Sequence, residues 1–196
     1  MKAFVLTLLL ALSLPVLAST GPEQLIRETS DQVLDEIKTN GETYREDPKR
    51  IYELVDTVVL PHFDFSAMTD LALGRYRDEV SDEQRPVIVN EFRLLLVRTY
   101  SSALLEYTDQ ELTYLPMEGA ESDGEVTVRT EIEQQGGFPI PINYRLRNGD
   151  GGWKVVDISV DDVSLVTNYR SSFARAIKKN GVDGLIQTLQ DRNQSQ

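Results

Sequence analysis

The first part of the chain repeats apolar residues at the three- and four-residue spacing of amphipathic helices. One stripe runs over residues 23–39. Asp47-Pro48 then suits an N-cap followed by the first position of a second helix, and Pro61 is expected to end that helix. Asp64 is placed to cap a short third helix, which Gly74 stops.

A fourth, longer helix is predicted from a capping box. Ser81 and Gln84 have the required spacing, and apolar residues then recur on one side to about residue 107. Pro86 lies early in this helix and removes one backbone hydrogen bond, so its first turn is expected to be irregular.

The apolar period then changes from helix-like to strand-like. Runs at 112–117, 126–132, 140–146 and 153–160 are rich in strand formers, and glycine-containing turns separate them. A helix over 164–179 and another over 183–191 close the chain, with Gly181 between them. This order of elements, in which helices flank an antiparallel meander of about four strands, predicts an α+β domain. Its helices are expected to cover the one apolar face of the sheet.

The N-terminus has the features of a secretory leader. Lys2 precedes a run of mostly apolar residues that is too short to span a bilayer comfortably, and Val16-Leu17-Ala18 suits signal peptidase. We predict cleavage after Ala18, with a membrane anchor as the alternative. Residues 19–196 are then expected to form one soluble exported domain.

Composition removes several classes of chemistry. The sequence has no cysteine and one histidine, which excludes thiol chemistry, cysteine-based metal sites and histidine-rich zinc sites. Its formal net charge is −12, and loss of Lys2 makes it one unit more negative. A chain this acidic is poorly suited to nucleic acid and is repelled by anionic lipid surfaces.

The single histidine raises the question of catalysis. His62 lies two positions before Asp64, and the two could form a general-base pair. Asp64 is also where a helix N-cap is needed, and we favour that interpretation. Arg75 and Arg77 could contact a phosphate, but we favour ordinary surface charge as their explanation. Asp161-Asp162 is more typical of a solvated strand end than of a metal site.

The sequence has a surplus of apolar residues, which could be plain core or the wall of an internal lipid cavity. Hydrophobic periodicity cannot distinguish a filled core from a hollow one. Several segments do carry a family resemblance. They are VDTVVLPHFDFSAMTDLALGRY (55–76), EQR with a later EF (83–92), PIPINYRL (139–146), DISVDDVSLVTNYRSSF (157–173) and GVDGLIQTL (181–189). With these segments the chain resembles the MlaC family of periplasmic phospholipid-shuttle proteins, also known as toluene-tolerance proteins.

The resemblance implies an NTF2-like cone, in which helices wrap a bent antiparallel sheet around a deep apolar pocket for lipid tails. It implies a carrier with no reaction to catalyse and no cofactor. The cargo would be phospholipid, shuttled between the outer and inner membranes to maintain outer-membrane lipid asymmetry. The residues we predict to contact lipid are Leu60, Phe63, Phe65, Met68, Leu71, Leu73, Tyr76, Phe92, Leu96, Tyr100, Leu104, Tyr144, Leu146, Val163, Leu165, Val166, Tyr169 and Phe173.

Two protein partners follow from the same resemblance. One is an inner-membrane ABC transporter with an MCE-domain ring, and the other is an outer-membrane lipoprotein–porin complex, each docking a monomeric carrier. Phe138 and Ile140 lie between chain breakers and could form an exposed apolar tip, or the loop could fold back onto the sheet. The residues we assign to docking are Arg85, Phe138, Ile140 and Val163.

One position departs from the family pattern. The family usually has an acidic residue and then glycine before the VSL segment, where this chain has Asp161-Asp162. If that position needs a positive φ, aspartate tolerates it at modest cost. The added charge near a pocket rim puts a preference for anionic headgroups in doubt.

Two other classes of function remain open from the sequence. One is an enzyme on a similar cone that uses His62 with a carboxylate on a hydrophobic substrate. The other is a periplasmic chaperone whose pocket takes unfolded apolar segments.

Overall fold

The predicted order of helices, antiparallel meander and helices is confirmed. The computed structural model describes residues 20–106, 111–134 and 136–195, so the predicted leader at 1–18 lies outside the described residues. The helices are α1 (Pro22–Glu46), α2 (Pro48–Leu54), α3 (Phe65–Leu73), α4 (Gln84–Tyr100) and α5 (Leu165–Gln194). The strands are β1 (Leu112–Glu118), β2 (Glu125–Ile132), β3 (Ile140–Gly149), β4 (Gly152–Val160) and β5 (Val163–Ser164).

The three helix caps that the sequence predicts all form in the structure. Asp47 accepts the Lys49 backbone N–H at 3.1 Å at the start of α2. Asp64 accepts the Ala67 N–H at 2.8 Å at the start of α3. Before α4, the Ser81 N–H donates to Gln84 Oε1 at 3.1 Å, and the Gln84 N–H donates back to Ser81 Oγ at 3.3 Å. These bonds satisfy backbone donors that have no partner within a helix.

Two predicted helices end less regularly than the sequence indicates. The second helix does not stop at Pro61, because α2 continues as a π-helical turn over Val55–Val59 and a 3₁₀ turn over Leu60–His62. The α-helical part of the fourth helix ends at Tyr100 and continues as a 3₁₀ segment over Ser101–Glu106, and residue 107 lies outside the described residues. The break predicted between the last two helices is confirmed, because α5 is interrupted at Gly181, where φ is +71° and the backbone is not helical.

The sheet has one more strand than the sequence predicts. Its strands pair antiparallel in chain order, β1-β2-β3-β4-β5, and β5 is only two residues long. Val160 pairs with Val163, so Asp161 and Asp162 form a two-residue hairpin turn with φ of +50° and +60°. Two positive φ values are the requirement of a type I′ turn, which matches the twist of a β-hairpin.

The core is divided into three clusters. One lies between α3, α4 and α5, where the Phe92 ring meets Tyr169 and Phe173 edge to face at centroid distances of 5.0 and 5.1 Å. A second covers the inner face of the sheet, and a third lies between α1 and α2. The three clusters do not merge into one solid core, and a cavity lies where their walls face one another.

Candidate functional site

An apolar cavity of about 270 Å³ lies between the sheet and the helices. Its walls come from α1, the π and 3₁₀ turns after α2, α3, the end of α4 and the inner face of the sheet. The lining residues are Ile26, Thr29, Ser30, Val33, Leu34, Ile37, Val55, Val59, Leu60, His62, Phe63, Phe65, Met68, Leu96, Val97, Tyr100, Ser101, Leu104, Leu112, Ile132, Ile142, Tyr144, Val155, Ile158 and Leu165.

The sheet closes the cavity at one end and leaves it open at the other. Register places Val126 opposite Leu146, and both are fully buried. Farther along the same strands and on the same face, Ile132 and Ile142 are only partly buried and line the cavity. Half-exposed Tyr100 also lines it. The opening therefore lies at the end of the sheet where β2 ends and β3 begins.

The segment that follows α2 is fixed against the edge of β4. The Asp64 N–H donates to the Val155 carbonyl at 2.9 Å, and Lys154 Nζ donates to the Pro61 carbonyl at 2.6 Å. These bonds hold His62 and Phe63 in the cavity wall. The 3₁₀ turn and its connection to β4 therefore serve as a rigid part of that wall.

His62 and Asp64 do not form a catalytic pair in this arrangement. Asp64 uses its carboxylate to cap α3, as the sequence predicts. Burial, and then the nearby positive charge of Lys154, lowers the pKa of His62 below its usual value. A neutral imidazole in an apolar wall, with no carboxylate among the described residues to orient it, behaves as part of that wall.

Two tyrosines contribute polar atoms near the cavity. Burial, and then the nearby Tyr114, raises the pKa of Tyr144 to about 12. The side chain is surrounded by protein, although part of its ring surface faces the cavity. Burial and the neighbouring Tyr169 raise the pKa of Tyr100 to about 12. Both phenols therefore stay protonated at neutral pH and can only act as uncharged hydrogen-bonding groups.

The structure brings half of the sequence-predicted lipid-contact residues together at the cavity. The residues that line it are Leu60, Phe63, Phe65, Met68, Leu96, Tyr100, Leu104, Tyr144 and Leu165. The residues that lie elsewhere are Leu71, Leu73, Tyr76, Phe92, Leu146, Val163, Val166, Tyr169 and Phe173. Most of the second group pack in the α3–α4–α5 cluster, Leu146 lies at the closed end of the sheet, and Val163 is exposed.

The sequence reasoning missed the whole contribution of α1 to the cavity. Ile26, Val33 and Ile37 form its apolar stripe and line the wall, as do Thr29 and Leu34. The stripe itself was visible in the sequence. What the sequence lacked was any sign that this stripe faces a cavity instead of another side chain.

The residues assigned to docking fall in two places. Phe138 is 92% exposed and Val163 is 58% exposed, so the loop does not fold back onto the sheet. Ile142 pairs with Val160, and the Asp161 N–H donates to the Pro141 carbonyl at 2.9 Å, which brings the loop and the hairpin together. We call Phe138, Ile140, Val160 and Val163 the apolar tip, and it lies at the open end of the cavity.

Arg85, the fourth residue assigned to docking, is engaged within the chain. It pairs with Asp70 on α3 and donates to the Arg77 carbonyl at 3.0 Å. These contacts join the start of α4 to the turn before it.

The described residues contain neither a cluster of metal ligands nor a membrane-spanning helix. No group of three or more histidine, cysteine, aspartate or glutamate side chains is arranged to hold a metal ion there. None of the described helices is both long enough and apolar enough to cross a membrane.

Comparisons with known proteins agree on one family. Residues 27–191 match the family described as MlaC protein. The chain is 28% identical to the toluene tolerance protein ttg2D of Pseudomonas putida over 179 residues, which are 91% of this chain and 83% of that protein. It is 27% identical to the intermembrane phospholipid transport system binding protein MlaC of Haemophilus influenzae over 190 residues, which are 95% of this chain and 88% of that protein.

A solved structure shares the fold. It is a phospholipid-binding protein from Ralstonia solanacearum in complex with a phospholipid. The two superpose with a TM-score of 0.81 at 33% identity, covering 88% of this chain and 97% of the other.

Proposed function

The chain belongs to the MlaC family, and from that premise we propose that it is a phospholipid carrier of the periplasm, with the acyl chains of its cargo in the cavity. The observation that carries the proposal is the cavity itself, whose lining is almost entirely apolar and which opens at one end. The phospholipid in the Ralstonia solanacearum relative supports the choice of cargo.

The energetics explain why a lipid would need such a cavity. A diacyl phospholipid has roughly 30 methylenes, and exposing them to water costs on the order of 25 kcal/mol at about 0.8 kcal/mol each. A free lipid therefore does not cross an aqueous compartment at a useful rate. A carrier offsets most of that cost, but its binding must stay weak enough for the lipid to leave again.

The contact residues we propose are the nine predicted residues at the cavity together with the apolar stripe of α1. The phospholipid is cargo, and the proposal includes neither a cofactor nor a catalysed reaction. His62 contributes to the wall, in keeping with its neutral form and its lack of a carboxylate partner.

Transport between the two membranes forms the second part of the proposal. The carrier would be exported, remain monomeric and exchange lipid with an inner-membrane ABC transporter carrying an MCE-domain ring and with an outer-membrane lipoprotein–porin complex. Such exchange would maintain outer-membrane lipid asymmetry. The name of the Haemophilus influenzae relative, an intermembrane phospholipid transport system binding protein, supports this role. A net charge of −12 would also keep the carrier from adhering to anionic bilayers.

Docking is proposed to use the apolar tip. Phe138 and Val163 are among the exposed large apolar side chains of the described residues, and they lie beside the cavity opening. A partner bound there would lie next to the path that the lipid takes. Arg85 has internal partners, and its proposed role in docking depends on the part of its side chain that stays exposed.

A vesicle pickup experiment tests the carrier proposal. Lipid-free protein is mixed with vesicles of labelled phosphatidylglycerol or phosphatidylethanolamine, the vesicles are removed by flotation, and soluble labelled lipid is counted. We expect pickup by the native chain, loss of pickup in Leu104→Trp, which fills the cavity, and normal pickup in Ser102→Trp. Ser102 is exposed in the same 3₁₀ segment and does not line the cavity. Equal pickup by both variants would contradict the proposed site.

A further inference from the structure

Few polar side chains line the cavity, and one of them has an unused hydroxyl. Thr29 donates its hydroxyl to the Leu25 carbonyl at 2.8 Å. The phenols of Tyr100 and Tyr144 are the neutral groups described above. Ser101 is only 3% exposed, and its Oγ makes no hydrogen bond to any residue that the structure describes. Tyr114 also has an unbonded buried hydroxyl, but it is not part of the cavity lining.

An unused hydroxyl in this position is unfavourable in the empty protein. A buried donor without a partner loses its bonds to water and gains nothing in return. The wall around Ser101 offers little compensation, because Val33, Ile37 and Leu104 are apolar. A polar atom brought by the cargo would restore the missing bond.

The position of Ser101 indicates which part of a lipid would supply that atom. Ser101 directly follows Tyr100, which is half exposed and lines the cavity. Ser101 therefore lies just inside the opening, one residue from the surface.

A phospholipid that enters with its acyl chains first places its ester groups at this depth. Acyl chains have no hydrogen-bond acceptor, whereas each ester linkage carries a carbonyl oxygen between the chain and the headgroup. A staggered rotation about χ1 is enough to turn the serine hydroxyl from the wall to the lumen. The hydroxyl would then donate to an ester carbonyl just inside the opening.

We propose that Ser101 is a specificity residue that donates a hydrogen bond to an acyl-ester carbonyl of the cargo. The cavity thereby distinguishes ester-linked lipids from ether-linked lipids of the same length, and the bond sets how deeply the chains enter. This inference rests on the proposed function, because it requires that a glycerolipid occupies the cavity.

A competition between two matched lipids tests the inference. Lipid-free protein is loaded from vesicles that contain equal amounts of diester and diether phosphatidylglycerol with identical chain lengths, and the bound lipids are quantified by mass spectrometry. The diether lipid lacks the carbonyl oxygens but keeps the headgroup and the chains. A neutral hydrogen bond corresponds to an ester preference of about 2- to 10-fold in the native protein.

Variants show whether Ser101 causes the preference. Ser101→Ala should bind both lipids with an ester-to-ether ratio close to that of the vesicles, and Ser101→Thr, which keeps a hydroxyl, should retain the preference. Ser102→Ala is the matched control, since Ser102 is exposed beside Ser101 and should behave as the native chain.

The outcomes separate this inference from the proposed function. Equal binding of the two lipids by the native protein, or an ester preference that survives in Ser101→Ala, overturns the role of Ser101 and leaves the carrier proposal intact. Binding of neither lipid by a folded native protein overturns both.

Discussion

Two adjacent leucines on α4 give the sharpest prediction about the cavity. Leu95 and Leu96 are 2% and 7% exposed and belong to the same core cluster, but only Leu96 lines the cavity. A leucine-to-alanine change removes the equivalent of three methylenes, or about 2.4 kcal/mol of transfer free energy at 0.8 kcal/mol each. In a filled core a cavity cost is added, for a total of up to about 5 kcal/mol.

The two positions should therefore differ in both stability and lipid binding. Leu95 lines a separate pocket beside α5 and not the apolar cavity. Leu95→Ala removes packing between α4 and α5, and we expect its free energy of unfolding to fall by about 3–5 kcal/mol with unchanged lipid affinity. Leu96→Ala enlarges a space that already exists, because part of its surface has no protein neighbour, and we expect a loss of about 2 kcal/mol. Leaving one or two lipid methylenes without this contact should weaken lipid binding about 4- to 15-fold.

Urea denaturation of lipid-free protein measures the first effect, and equilibrium exchange of labelled phospholipid with vesicles measures the second. The two variants share residue type, helix and burial, so each is the control for the other. Equal loss of lipid affinity in both, or a larger stability loss in Leu96→Ala than in Leu95→Ala, would refute the assignment of these two faces of α4.

Three further predictions follow from other parts of the structure. Asp162→Gly should stabilise the chain by about 0.5–1 kcal/mol in urea denaturation, because glycine adopts the positive φ of 60° without strain. Asp150→Gly is the control and should give no gain, because the φ of Asp150 is not positive. A destabilised Asp162→Gly would contradict the turn assignment. Because the pKa of Tyr144 is raised to about 12, the folded state keeps a phenol proton that the unfolded chain loses near pH 10, so stability should fall as pH rises from 10 to 12. Thermal unfolding should show a smaller fall in Tyr144→Phe, and an identical pH profile would argue against that burial. Phe138→Glu should leave stability and lipid pickup unchanged but weaken binding to an immobilised MCE-domain ring. Val87→Glu, at another exposed apolar residue, is the control and should bind the ring as the native chain does. Unchanged binding of Phe138→Glu would exclude the apolar tip as the docking surface.

Local features of the fold were predictable because they depend on short-range chemistry. Asp64, Ser81 and Gln84 were assigned as caps from spacing alone, and each makes the expected bond. The half-buried strand around Val126 and Val128 followed from alternation in the same way. The π-helical turn at Val55–Val59 had no sequence signal, since its apolar residues fit an ordinary α-helix equally well.

The cavity could not be derived from the sequence because hydrophobic periodicity reports which face is buried and not what lies against it. Leu73 and Leu104 both sit on apolar helix faces, yet Leu73 packs in the α3–α4–α5 cluster and Leu104 faces open space. The difference depends on how the three core clusters meet, which is a property of the whole fold. Eight of the eighteen predicted lipid-contact residues therefore pack in solid core, and a ninth, Val163, is exposed.

The cavity between the sheet and the helices is proposed to hold phospholipid. The most direct test of this proposal is mass spectrometry of an organic extract of the purified protein, calibrated as moles of lipid per mole of protein. We predict near-stoichiometric phospholipid, with far less in Leu104→Trp. A folded protein that yields no phospholipid, and that takes up none when incubated with vesicles, would contradict the account.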